Sequence, residues 1–286
     1  MTKILLMKSH VKGYFRDGKW VKDYDNKVQK KSSWKGGHAP LHLEEHEDDL
    51  ITPEKPHAAA IHPKPGEKGE QVPIYKLSKA TPVSEFADPE KIATVLPGGQ
   101  TPMTLNGVPF APWADAPTTL HGWADVDGQN VYDEPDMPEV PDHVKIGAGV
   151  IVEEPDGRVW VIHPTNGFGG YKGSFPKGTV EDGLPVQASA IKEAYEESGL
   201  KVELLSHFMD VKRTTSVARY YRARRVGGTP SDAGWESQAV SLVPVSQLYS
   251  ALNMAPDHKL AEALGAGPAP KVKATPWAKN MSGFKF

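Results

Sequence analysis

The chain has 286 residues, a net charge of −3 at neutral pH and no cysteine. The lack of cysteine excludes disulfides, cysteine nucleophiles and cysteine-ligated zinc, and the small net charge gives no reason to expect nucleic acid or an anionic membrane as partner. Ile4 to Met7 is too short an apolar run for a signal-peptide core or a membrane span, so a cytoplasmic protein is expected.

Residues 1–40 hold ten Lys/Arg against three Asp, a local balance of +7. Within them, GYFRDGKWVKDY predicts a short hairpin, because Asp17-Gly18 favours a tight turn between aromatic-bearing segments. Leu41 to Leu50 turns acidic and contains His42-Leu43-Glu44-Glu45-His46, which fits the H-x-x-E-H pattern of inverted zinc peptidases. In a helix His42, Glu45 and His46 would serve zinc from neighbouring positions. However, Pro40 and Pro53 bracket a short segment with little apolar face, and no third ligand stands out among His38, His57 and Glu70. Zinc peptidase is therefore a remote alternative.

Prolines recur through residues 53–142, a composition that often marks disorder. Leu105 to Phe110, Trp113 and Trp123 predict instead that part of this arm packs against the following domain or a partner subunit. The expected organisation is an N-terminal extension over 1–140, basic and then acidic and proline-rich, partly ordered. A regular domain follows over 141–265, and a tail over 266–286.

Beyond residue 140 the patterning becomes regular. Lys145 to Glu153 and Arg158 to His163 predict neighbouring strands joined through Pro155-Asp156-Gly157. Asn166 to Gly173 is a glycine-rich loop that fits neither a Walker A sequence nor G-x-G-x-x-G. Further strands are predicted at Lys201 to Val211, Val217 to Val226 and Ala239 to Val243. Helices are predicted at about Ser246 to Asn253 and Asp257 to Leu264, and the rest of the tail reads as extended.

Between the second and third of these strands lies FPKGTVEDGLPVQASAIKEAYEESGL, residues 175–200. Pro185 suits a first helical turn, Val186 to Ser198 favours helix, and Gly199 suits the left-handed residue that ends one. Glu193, Glu196 and Glu197 stand three and four residues apart, so all three project from one side. Like charges so placed repel by about 0.2–0.5 kcal/mol per pair on an exposed helix. A hard divalent cation reverses that sign, since Mg²⁺ uses a few carboxylates together with substrate phosphates. Taken alone, a solvated acidic face is the more common account of such a cluster.

The stretch resembles the Nudix box, G-x5-E-x7-R-E-U-x-E-E-x-G-U with U aliphatic. Gly178, Glu193, Glu196, Glu197, Gly199 and Leu200 fall at the required spacings, and Pro176-Lys177-Gly178 resembles the P-K-G form of the turn before the box. Three positions depart. Ala194 stands at the first aliphatic place, Leu184 replaces a glutamate, and Lys192 replaces an arginine that orients a metal-binding glutamate through a two-pronged contact. Lysine keeps the charge but not the fork. Glu181 lies near in sequence, but its spacing does not show that it takes over.

The resemblance implies an α/β (α+β) fold class, a Nudix-type α/β/α sandwich with a mixed sheet, here preceded by the long irregular extension. It also implies hydrolysis of a phosphoanhydride bond in a nucleoside diphosphate linked to another moiety, and thus a small-molecule nucleotide substrate. Dinucleoside polyphosphate or ADP-ribose-like substrates are expected. Glu193, Glu196 and Glu197, helped by a backbone carbonyl near Gly178, would hold Mg²⁺ or Mn²⁺, with Glu196 and Glu197 at the centre of catalysis. Glu236, before the last strand, is the candidate general base.

For phosphate and base binding the candidates are Lys177, Arg213, Tyr220, Arg222, Arg224 and Tyr171, with Phe168 a weaker one. Residues 212–225 carry six basic residues and no acidic one, and Tyr220, Arg222 and Arg224 alternate onto one strand face. A solvated sheet face is the plain alternative. Two further readings remain open. One is a Nudix-fold module that binds a nucleotide metabolite without hydrolysing it, favoured by Leu184 and Lys192. The other is an arm that joins two copies as a homodimer or binds another macromolecule.

Overall fold

The computed structural model describes residues 58–141, 143–213 and 215–268, and near the start the backbone of one hairpin. The chain divides into two compact units, Met1–Ala58 and Ala59–Phe286. In the first, β1 (Lys12–Arg16) pairs antiparallel with β2 (Lys19–Asp23), Arg16 opposite Lys19. This is the two-residue connection that Asp17-Gly18 predicts. The His42–His46 motif and the tail beyond residue 268 lie outside the described residues.

The second unit opens with short pairings. β3 (Ala60–Ile61) pairs with β4 (Pro73–Ile74), β5 (Ala93–Val95) follows, and β6 (Thr104–Leu105) pairs with β7 (Val108–Pro109). Proline donates no ladder hydrogen bond, which keeps these strands to two or three residues. A one-turn helix, α1 (Leu120–Ala124), closes the arm, and its first turn is capped by Thr119, whose side chain accepts from Gly122 N–H.

The main sheet comprises β8 (Lys145–Glu153), β9 (Arg158–Pro164), β10 (Lys177–Thr179), β11 (Leu200–Lys212), β12 (Ser216–Gly228), β13 (Ser237–Pro244) and β5. Its order is β11-β12-β8-β9-β13-β5, with β10 beside β8. Only β12–β8 is a parallel pair, so the sheet is mixed, as expected. Ala148, Val150 and Val152 of β8 enter one core with helix α2 (Val186–Ser198), and Ile151 enters the other with α3 (Val245–Ala251) and α4 (Ala255–Ala263). Period-two strands between helical layers give an α/β/α sandwich. No helix among the described residues is long and apolar enough to cross a membrane.

The arm is part of this unit. Phe86, Leu105, Trp113, Trp123, Val126 and Val131 are buried in the α2-side core. Trp113, Trp123 and Tyr195 of α2 form an aromatic trio with ring centroids 5.2–6.0 Å apart. The compact unit therefore begins at Ala59, and the expected boundary near residue 140 marks a change in regularity rather than a structural division. Prolines interrupt periodicity without preventing burial.

Three buried arginines from the sheet region fasten the arm. Arg225 forms an ion pair with Glu154 at 2.6 Å, donates to Leu105 and Pro109 carbonyls, and lies over the Phe110 ring. Arg158 donates to the carbonyls of Glu85, Phe86 and Asp88 while pairing with Asp156. Arg219 binds Asp210 through two nitrogens and donates to the carbonyls of Pro135 and Asp136. An irregular segment leaves buried carbonyls without ladder partners, and a guanidinium has five donors to satisfy them.

Burial alone would raise the carboxyls of Asp156 and Asp210, but hydrogen bonds from Arg158 and Arg219 prevail and hold both below the usual carboxylate range. A depressed carboxylate stabilises the fold above its unfolded-state value, and that stabilisation is lost as pH falls through the folded-state value. Acidification below about pH 4 is therefore expected to loosen the arm. The check is tryptophan fluorescence, which should shift to the red over that range and return on neutralisation.

Candidate active site

The β10 turn and α2 bring the acidic cluster together. Gly178 pairs with Ala148 of β8, and a Cβ at Gly178 would overlap the carboxylate of Glu193. The Glu193 carboxylate thus lies directly against the backbone of Gly178, in the space a larger residue would occupy. Pro185 stands at the N-cap, one place before the helix, and Gly199 ends it at φ 71°, where a side chain would strike the carbonyl of Thr229.

The three helix glutamates differ in setting. Glu197 is buried, and its carboxylate accepts from Lys177 N–H at 2.6 Å. Its carboxyl is pushed up to about 7, chiefly by desolvation, against the opposing charge of Lys177. Glu193 is half-buried and is pushed up to about 9, first by desolvation and then by the charges of Glu197 and Glu196. Glu196 is exposed and pairs with Lys192 at 2.8 Å.

Glu236 joins them through its loop. Gly234 N–H donates to the Glu196 carbonyl at 2.8 Å, which ties residues 234–236 to the C-terminal turn of α2. The Glu236 carboxyl is raised, by desolvation first and then by Glu196, although the residue is exposed at the surface. Four carboxylates thus share one electrostatic neighbourhood. Among the described residues no three acidic or histidine side chains already form a ready-made metal cluster. The donor chemistry still fits a hard divalent cation: the donors are oxygens, and their mutual repulsion is only partly answered by Lys177 and Lys192. Lys192 holds Glu196 Oε2, so Glu196 would offer a cation its other oxygen.

The expected phosphate-binding residues are scattered rather than gathered. Lys177 lies beside the cluster, with Nζ 5.5 Å from the Tyr171 ring centre. Arg213 pairs with buried Asp257 at 2.6 Å and donates to the hydroxyls of Tyr171 and Tyr220. Tyr220 is fully buried and offers no face to a base, which corrects that expectation. Arg222 pairs with Glu153 at 3.5 Å and Arg224 with Glu203 at 2.6 Å. The β12–β8 register sets Arg219 level with Ala148, Gly178's partner, whereas Arg222 and Arg224 lie opposite Ile151 and Glu153. At about 3.3 Å per residue they sit about 10 and 16 Å further along the strand. The face they share is a solvated, ion-paired one at the wrong end of the strand.

Two features needed the folded chain to be seen. Glu181 reaches Lys192 at 2.8 Å. A cleft of about 350 Å³ opens between the arm and α2, lined by Thr119, Leu120 and Trp123 on one side and Glu181, Lys192 and Glu196 on the other.

Residues 143–263 match the NUDIX domain family. The chain carries a NUDIX domain. Over 97 residues it is 33% identical to a Mycobacterium tuberculosis protein provisionally named mutator protein MutT4, which covers 31% of this chain and 39% of that protein. Over 100 residues it is 34% identical to an RNA pyrophosphohydrolase of Caulobacter vibrioides, covering 34% of this chain and 54% of that one. The chain thus spans about half or less of the length of these relatives. A NUDIX hydrolase structure from Nitrosomonas europaea superposes with a TM-score of 0.36 at 20% identity, over 42% of this chain and 69% of that one. Nudix residues 143–263 and the arm of residues 59–140 share one hydrophobic core.

Proposed function

We propose that the NUDIX domain hydrolyses a phosphoanhydride bond in a nucleoside diphosphate linked to another moiety, with Mg²⁺ or Mn²⁺ held by Glu193, Glu196 and Glu197. The observation that carries this reading is the crowding of these carboxylates on one helix against Gly178, where desolvation and mutual charge push Glu193 up to about 9. A helix gains nothing from such repulsion unless a cation relieves it. Bound there, the cation would neutralise phosphate charge and make water a better nucleophile. Lys177 and its N–H hold Glu197 in place. Glu236, with its carboxyl raised by desolvation first and then by Glu196, is suited to take a proton from water.

The cleft beside Glu196 is suited to the part of the substrate beyond the phosphates. The hydroxyl of Thr119 lies on its wall, and Leu120, 44% exposed, offers an apolar surface. Replacing Leu120 with arginine is expected to raise KM about tenfold with kcat nearly unchanged, the pattern of a lost binding contact. Steady-state kinetics on the preferred substrate provide the check.

The test of function is turnover. Purified protein with Mg²⁺ or Mn²⁺ is incubated with dinucleoside polyphosphates, ADP-ribose, NADH and nucleoside triphosphates. RNA carrying a 5′-triphosphate is added because one relative is an RNA pyrophosphohydrolase. Release of phosphate-bearing products supports the proposal. Tight binding of one of these ligands without cleavage would instead support a metabolite-sensing module, the reading favoured by the Lys192–Glu196 contact.

A further inference from the structure

Lys192 Nζ lies 2.8 Å from Glu181 Oε1 and 2.8 Å from Glu196 Oε2. Glu196 comes from the next turn of α2. Glu181 comes from the turn between β10 and α2, which closes where Leu184 N–H donates to the Glu181 carbonyl at 3.0 Å. This turn sends its two side chains in opposite directions. Leu184 is 5% exposed and joins the apolar core with Ala188 and Ile191. A carboxylate at 184 would be buried there, at a cost of several kcal/mol unless paired. Glu181 stays half exposed and reaches the lysine.

A lysine is a point charge on a flexible stem, without the fork that lets arginine fix a carboxylate. Facing Glu196 alone, Lys192 would be free to swing, or to neutralise the carboxylate outright. Facing two carboxylates, its ammonium is located and its charge is divided. The ammonium donates to both carboxylates at 2.8 Å, which fixes it between them.

We propose that Glu181 is a positioning residue that anchors Lys192, so that Lys192 orients the Glu196 carboxylate while leaving it charged enough to take up a divalent cation. This rests on the reading of Glu196 as a metal ligand, and it assigns to Glu181 a task that Leu184 cannot perform.

The experiment measures Mn²⁺ affinity by isothermal titration and paramagnetic resonance, alongside turnover and melting temperature, for wild type, Glu181→Gln, Lys192→Met and the double variant. An exposed ion pair with only a structural role contributes about 0–1 kcal/mol and would leave Mn²⁺ affinity unchanged. The expected result for Glu181→Gln is a Mn²⁺ dissociation constant about tenfold higher, in the range for groups that orient metal ligands, with the melting temperature close to wild type. The double variant should bind Mn²⁺ about as weakly as Lys192→Met alone, because Glu181 acts through the lysine. Wild-type affinity in Glu181→Gln, or losses that multiply in the double variant, would overturn the role of Glu181 while leaving the metal site standing. A wild-type protein that binds no Mn²⁺ would overturn the metal-dependent reading and this role together.

Discussion

Replacing Arg225 with alanine should destabilise the protein by about 3–5 kcal/mol, the usual cost of removing one partner from a buried ion pair. The side chains of Arg225 and Glu154 are 0% and 2% exposed. Glu154 also accepts from Trp160 Nε1 at 2.9 Å and from Asn106 Nδ2 at 2.9 Å. Truncation would strand this carboxylate in the core with two neutral donors. It would also free the carbonyls of Leu105 and Pro109 and uncover the Phe110 ring. Arg224→Ala is the control. Its side chain is 61% exposed and faces Glu203 at the surface, so its loss should cost under about 1 kcal/mol. Chemical denaturation of both variants provides the comparison. Equal stability of the two would show that the Glu154 network does not hold the arm to the sheet. The Arg225→Met, Glu154→Leu double variant should recover much of the loss, since it leaves no unpaired charge behind.

Glu197→Gln should separate stability from activity. Burial raises the Glu197 carboxyl to about 7, so at neutral pH the fold bears part of the cost of a buried charge. A raised carboxyl contributes stability at low pH that is lost as pH rises through the folded value, and glutamine removes that loss. In the metal-free state the variant should melt at or above the wild-type temperature at pH 8. Glutamine still offers an oxygen to Lys177 N–H, so the turn before the box should keep its geometry. Turnover should nevertheless fall about 10³-fold, because a charged ligand worth several kcal/mol to the transition state is gone. Thermal melts in chelator and with added Mg²⁺, together with initial rates, check both halves. Mg²⁺ should raise the melting temperature of wild type far more than that of the variant. A variant with full activity would remove Glu197 from the proposed metal site.

The contrast between these two residues shows how the chain is legible. Glu197 stands in a periodic segment whose spacing alone places three glutamates on one side and a glycine at the end, and the structure forms the predicted helix over Val186–Ser198. The strands β8, β9, β11, β12 and β13 were likewise readable, because alternation and turn residues are local signals. Arg225 lies in a run of basic residues whose sequence cannot separate a phosphate-facing arginine from one buried against a carboxylate. Tyr220 shows the same limit: an aromatic residue on a charged strand reads as exposed until the α4 layer is seen to cover it.

By itself, then, the sequence determined the layered α/β/α class, the acidic helix with its stop at Gly199, and the match of spacing that marks a Nudix box. The elements follow from periods of two and 3.6 residues and from the left-handed backbone of Gly199, and the class and the box from the resemblance that their spacing carries. Only the tertiary structure decided where the arm belongs, which arginines hold it, and that Glu181 rather than residue 184 answers Lys192. Those outcomes depend on contacts between residues far apart in the chain or across an irregular turn. There, the need to satisfy buried carbonyls and charges selects the partner, and no fixed spacing records the choice.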